Sequence, residues 1–156
     1  MHVTKEETLE LLDAIEDLHN QVIVHSGGEN GIRDKGGLEH VCYKILTDIR
    51  NNKNPIQIAA KIYELLATRH YFVDGNKRTS HIIAKYTLLL LGYHFKTPYS
   101  EAIEFIIQIA DKKKEIKQIE DWIEQNSTEM TVDGKEFEKI LSQELIEFKE
   151  YFNKKD

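Results

Sequence analysis

Apolar positions recur along this chain at helical spacing, in blocks separated by short polar breaks. Leu9, Leu12, Ile15, Leu18 and Val22 mark the first block. Thr4 and Glu7, just ahead of most of it, have the spacing of a capping box. The pattern predicts an amphipathic helix over residues 5–24. His25 to Gly31 then reads as a loop. Its glycines could cradle phosphate, but neither a lysine–serine pair nor an apolar strand frames them, so a plain turn is the better reading. Leu38, Val41, Cys42, Ile45, Leu46 and Ile49 define a second helix, broken by Asn51 to Asn54. Pro55 suits a first helical position. Ile58, Ala59, Ile62, Leu65 and Leu66 carry that third helix to about His70.

The next block is different: Ile82 to Leu91 is a long apolar run closed by Gly92. Amphipathic segments flank it, so it is expected at the centre of a helical bundle over residues 5–126, with Leu88 to Leu91 out of water. Tyr93 to Thr97 reads as a short connector with room for extended backbone. Pro98 and Ser100 open a helix carrying Ala102, Ile103, Ile106, Ile107 and Ala110. Ile116, Ile119, Trp122 and Ile123 form another, stopping near Asn126 and Ser127.

Asp133 and Glu136 repeat the capping pattern, and Phe137, Ile140, Leu141, Leu145, Phe148 and Phe152 follow on one face. Burying a large apolar side chain is worth about 1.5–3 kcal/mol, and an isolated helix of this length is marginal. Residues 133–152 are therefore expected to dock as a helix, on their own chain or on a second copy as a homodimer contact. The fold class read from these blocks is all-α: a helical bundle with a C-terminal amphipathic helix. The expected division is a catalytic unit over residues 1–128 and a helical appendage over 129–156.

Composition narrows the function classes. A chain of 156 residues is one domain by length and can bury a sizeable core. Its formal charge of −6 argues against general nucleic-acid binding, and Asp111 to Lys114 reads as a solvated turn. The single cysteine, Cys42, excludes an internal disulfide framework and fits a reducing cytoplasm; its apolar helical setting predicts a buried thiol. No apolar signal region opens the sequence. Ile82 to Leu91 is too short for a bilayer and is interrupted by Lys85. The expected setting is cytoplasmic, without membrane or direct nucleic-acid partners.

The candidate chemistry lies just ahead of the apolar run, in His70-Tyr71-Phe72-Val73-Asp74-Gly75-Asn76-Lys77-Arg78-Thr79. A helix starting here would gather unpaired N–H groups and the positive end of its macrodipole, a setting that suits phosphate. Asn76, Lys77 and Arg78 would add side-chain donors, Asp74 could hold a metal ion and His70 could take a proton. The alternative is an ordinary Asp-Gly-Asn turn followed by a solvated basic first turn. Cations in a first turn oppose the helix dipole, which makes that purely structural reading less comfortable.

His70 to Thr79 resembles the signature of the Fic/Doc superfamily, His-x-Phe-x-Asp/Glu-Gly-Asn-x-Arg. Lys77 between Asn76 and Arg78 resembles the Doc (death-on-curing) toxin branch, where Fic adenylyltransferases usually carry glycine. Gly31-Ile32-Arg33-Asp34, followed by Gly37-Leu38-Glu39, is similar to a second Doc-family stretch and suggests a structural turn, with Arg33 and Asp34 as a local ion pair. The resemblance covers roughly residues 5–126. Two positions depart from it: Tyr71 replaces the usual proline, and His81 stands where Fic enzymes often have a second arginine.

The resemblance implies a transferase using ATP and Mg²⁺. His70 would be the general base, Asp74 the metal ligand, Gly75, Asn76, Lys77 and Arg78 the phosphate-binding group, and Phe72 the anchor of the loop. In Doc the lysine accompanies a reversed nucleotide, so the implied activity is transfer of the γ-phosphate to a protein hydroxyl. The Doc target is a threonine of elongation factor Tu, whose modification arrests translation. AMP transfer by the same residues is the alternative, and a non-enzymatic binding module the second. The Ser/Thr-x-x-x-Glu-Gly/Asn inhibitory pattern of self-inhibited Fic proteins is missing, since Glu29-Asn30 follows Ser26 one residue too soon. An antitoxin acting in trans is therefore implied.

Overall fold

The structure, a computed structural model, describes residues 2–151, without the side chain of Tyr151. Among these the chain forms seven helices and one small sheet: α1 (Lys5–Ser26), α2 (Lys35–Arg50), α3 (Pro55–Thr68), α4 (Asn76–Leu90), β1 (Tyr93–Phe95), α5 (Tyr99–Ala110), α6 (Ile116–Gln125), β2 (Ser127–Glu129) and α7 (Gly134–Tyr151). The all-α expectation holds. No helix of the described residues is long and apolar enough to cross a membrane.

Local chemistry sets the helix ends. Thr4 and Glu7 form the expected reciprocal capping box. The Arg50 guanidinium at the far end of α2 pairs with Glu7 and holds its carboxyl down at about 2. Asp34 caps α2 by accepting from the Gly37 N–H at 2.9 Å. That contact replaces the expected Arg33–Asp34 ion pair, which does not form. Asn54 caps α3, and Pro55 occupies its first turn. Asp133 accepts from the Glu136 N–H ahead of α7.

Helix α4 is the buried axis. It packs chiefly on α3 and also meets α1, α5 and α7. Its positions 78–85 are all buried, polar residues included. Leu88 and Leu89 are buried but Leu90 is 69% exposed, so the apolar run reaches solvent at its last turn. Periodicity explains this: four successive leucines, Leu88 to Leu91, cover every face of a helix, so one of them must face away from the core. Tyr63, Phe95 and Phe148 fill the core beside Leu12, Ile15 and Leu88.

The structure extends the pattern reading at two places. The first helix continues through Ser26, because the Ser26 hydroxyl donates to the Val22 carbonyl and Gly27 N–H to that of Ile23. The connector after Gly92 is strand β1, paired antiparallel with β2 in the register Tyr93–Glu129, His94–Thr128, Phe95–Ser127. The C-terminal helix packs on its own chain, against α1, α4 and α5. Phe148 is fully buried, and Phe137 meets the Tyr86 ring edge-on at 4.0 Å. Phe152, the last residue of the apolar stripe, lies outside the described residues.

Candidate functional site

The ten-residue stretch begins as the loop between α3 and α4 and ends in the first turn of α4, which starts at Asn76. His70 is exposed and takes a left-handed backbone with φ of 54°. Such a conformation costs a residue with a side chain about 1–3 kcal/mol. It turns the chain sharply out of α3 into an extended segment. Tyr71 O accepts from the N–H groups of Arg33 and Asp34, and Val73 N–H donates to Gly31 O at 3.0 Å. Ile32 and Phe72 pair as an isolated antiparallel bridge. The Gly-Ile-Arg-Asp stretch thus forms a strap holding the loop in extension.

Phe72, expected as the loop's anchor, is 1% exposed. Its ring lies on the His19 imidazole with centroids 3.9 Å apart and planes 7° from parallel. Asn76 closes the loop from inside. Its Oδ1 accepts from Phe72 N–H at 3.1 Å, and its Nδ2 donates to Phe72 O at 3.0 Å. That amide thereby shapes the loop. Gly75 adopts φ of 76°, and a Cβ there would stand 3.2 Å from Ile23 Cδ1. Both the conformation and the space favour glycine.

Asp74 sits at the mouth, its side chain 39% exposed. Oδ1 accepts from Gly75 N–H at 2.8 Å and Oδ2 from Glu29 N–H at 3.1 Å. Gly28 makes this approach possible, since a Cβ there would fall 2.5 Å from Asp74 Oδ2. Two backbone donors fix the carboxylate and leave lone pairs for a cation. No cluster of three or more His, Cys, Asp or Glu side chains suited to a metal occurs among the described residues. The single Asp74 carboxylate is a donor set that fits Mg²⁺, which uses one or two carboxylates and completes its shell with water and substrate phosphate. It does not fit an all-protein cage.

Arg78 is 3% exposed and reaches back to α1. Its Nη1 donates at 2.7 Å both to the Ser26 hydroxyl and to Gly27 O, and its Nη2 lies 3.8 Å from Asp74 Oδ1. Lys77 is half-buried on the first turn of α4. The structure brings Asp74 and Arg78 together at the start of the buried α4, with Lys77 on the same first turn and His70 exposed at the other end of the loop.

Several contributors lie outside the motif. His19 is 1% exposed, and its Nε2–H donates to Asp74 O at 2.8 Å. Burial lowers its pKa against the opposing pull of the Asp74 carbonyl bond, and the nearby Arg78 charge adds to the lowering. The carbonyl partner places the proton on Nε2. Ser26 and Gly28 complete the support. The sequence signal for His19 was its place in the buried stripe between Ile15 and Val22, where a polar ring needs a partner.

His81 does not extend the site. It is 1% exposed and enclosed by Tyr63, Phe95, Tyr99 and Phe148. The Tyr63 hydroxyl meets its Nδ1 at 2.6 Å, while Nε2 lies 3.6 Å from Glu144 Oε2. Burial pushes its pKa well down, aided by the charge of Lys85. One turn on, Lys85 forms a buried ion pair with the same Glu144, tying α4 to α7. Cys42 is fully buried and its thiol is pushed up to about 12 by desolvation, which makes it inert.

A family model described as Fic/DOC family matches residues 9–88, which run from α1 to the last turns of α4 and contain every loop support described above. A search of curated proteins returned no match.

Proposed function

We propose that this chain, which belongs to the Fic/DOC family on a match covering 80 of its 156 residues, is a Doc-like toxin that moves the γ-phosphate of ATP to a protein hydroxyl. The family's enzymes generally transfer nucleotide-derived groups to proteins. The finer reading is carried by Lys77, which occupies the first turn of the buried α4 between Asn76 and Arg78. A lysine ammonium fills space and adds a point charge there, which favours a shifted or reversed triphosphate over the placement a glycine allows.

Phosphoryl transfer asks a protein mainly for positioning and charge stabilisation. His70 accepts the proton of the attacking hydroxyl. The new bond forms between that oxygen and the γ-phosphorus as the bond to the β-phosphate oxygen breaks, and ADP leaves with its charge held by Lys77 and Arg78. Asp74 would hold Mg²⁺, which neutralises phosphate charge when bound. Phe72, Asn76 and His19 keep the loop in shape. By resemblance the acceptor is a threonine of elongation factor Tu, the outcome is arrest of translation, and a separate antitoxin restrains the enzyme. Residues 1–128 carry the chemistry, and α7 of the C-terminal appendage braces it.

The deciding experiment supplies ATP labelled separately on the γ- and α-phosphates, with elongation factor Tu as acceptor. Only the γ label should reach the protein. Transfer of the α label would make the enzyme an adenylyltransferase despite Lys77.

A further inference from the structure

A cleft of about 410 Å³ opens beside the loop, between α1 and the strap that pairs with Phe72. Its walls include Glu16, His19, Asn20, Asn30, Ile32 and Phe72. Glu16 sets its chemistry. Its Oε1 is shielded from water and accepts no hydrogen bond. The Glu16 side chain as a whole is 28% exposed, and the nearby cation is Lys35, whose Nζ stands 3.9 Å from that oxygen on a side chain 70% exposed. A buried acceptor without a donor costs free energy that a ligand donor can recover. Asn20, one helical turn beyond Glu16, adds an amide at the rim. Asn30 is exposed, its Oδ1 accepting from Gly31 N–H at 2.9 Å.

The cleft is unsuited to nucleotide. A triphosphate would meet the Glu16 carboxylate, while Lys77 and Arg78 are not among its walls. His19 and Phe72 each have a ring face taken by the other, which removes the obvious stacking surface for a base. What suits it is a donor-rich cation on a long apolar stem, which can lie along Ile32 and reach the carboxylate. Phe72 is two residues from both His70 and Asp74, and extended chain covers about 3.3–3.6 Å per residue. A side chain seated here therefore comes from a residue close to the acceptor hydroxyl.

We propose that this cleft is a specificity pocket for a basic side chain, arginine before lysine, flanking the acceptor hydroxyl of the protein substrate. The proposal rests on the reading of the enzyme as a protein-modifying transferase. Its test uses binding, so the two can fail separately.

The full chain, labelled with ¹⁵N, is titrated with Nα-acetyl-argininamide and, in parallel, with its uncharged analogue Nα-acetyl-norvalinamide. The arginine compound should shift the amides of Glu16, Asn20, Asn30 and Gly31, and the uncharged one should not. Glu16→Gln should weaken the arginine response about tenfold, the scale of one lost charge-assisted bond. Lys35→Ala, which removes the competing cation, should strengthen it. ATP should leave the arginine response in place. Equal responses to the two compounds, no response to either, an unchanged response in Glu16→Gln, or displacement of arginine by ATP would each overturn the proposal.

Discussion

The His19 imidazole lies flat on the Phe72 ring at 3.9 Å and, through Nε2, donates to the carbonyl of Asp74 at 2.8 Å. One side chain of α1 therefore grips the loop on both sides of Val73. The residue proposed to hold the metal ion takes its position from a helix 55 residues upstream.

Removing that grip should cost activity more than fold. His19→Ala leaves the Asp74 carbonyl without its donor, a loss of about 1–3 kcal/mol, and removes a ring stack worth about 0.5–1.5 kcal/mol. The variant should keep its helical circular dichroism, melt at lower temperature and transfer phosphate at least about tenfold more slowly, since small misplacements at a reacting centre are amplified in rate. Wild-type transfer rates in this variant would show that the loop holds its shape unaided.

The proposed base makes a different prediction. His70 is exposed and makes no contact that supports the loop's interior, so His70→Ala should fold normally. It should bind ATP with little change and lose transfer by about 10²-fold or more, the usual contribution of a general base. Calorimetric ATP titration beside the labelled-transfer assay separates binding from chemistry. Full transfer would remove His70 from the mechanism.

The ion pair between Lys85 and Glu144 joins α4 to the C-terminal helix with both side chains under 10% exposed. Breaking a buried pair from one side strands a charge, so Glu144→Ala should destabilise by about 3–5 kcal/mol. The apolar double substitution Lys85→Met with Glu144→Leu should recover most of that loss, because it removes both desolvation penalties. Urea denaturation measures each. Equal stability of wild type and Glu144→Ala would show that water reaches the pair.

His81 gives the protein a pH dependence of calculable sign. Burial holds its folded pKa well below the ordinary 6.5. As pH falls below 6.5 the unfolded chain takes up a proton that the folded chain resists, so the His81 contribution to stability is lost progressively on acidification. Above 6.5 both states are neutral there and the contribution is constant. His81→Asn should be less stable than wild type at pH 7.5, with the gap narrowing as pH falls toward 5. A gap independent of pH would mean that His81 titrates alike in both states.

Most of the helices were legible because each has one buried stripe, as Leu12, Ile15, Leu18 and Val22 do on α1. The Thr4–Glu7 cap and the stop at Gly92 could be read from local chemistry. The strand pair was not: Ser127 to Glu129 has no apolar alternation, and its pairing is made by backbone groups across more than 30 residues. The loop's location was plain from its letters, but its supports were not. Nothing in the spelling of the motif says that both ends of the Asn76 amide are bonded to Phe72. Ser26 and Gly28 look like loop filler until Arg78 and Asp74 are brought against them. These relations depend on tertiary contact, which periodicity does not encode.

The supports of the loop also bear on how portable it is. The ten residues from His70 to Thr79 look like a cassette, but their shape is set by Ser26, Gly27 and His19, which lie 51 to 55 positions earlier. Closing so long a span has an entropic cost that only the assembled bundle offsets. On the ribosome, α1 emerges long before the loop it braces and waits without its partner. A transplant of residues 70–79 onto another helical scaffold would carry the spelling of the motif without its shape, unless the underside of α1 and the strap at Ile32 travelled with it.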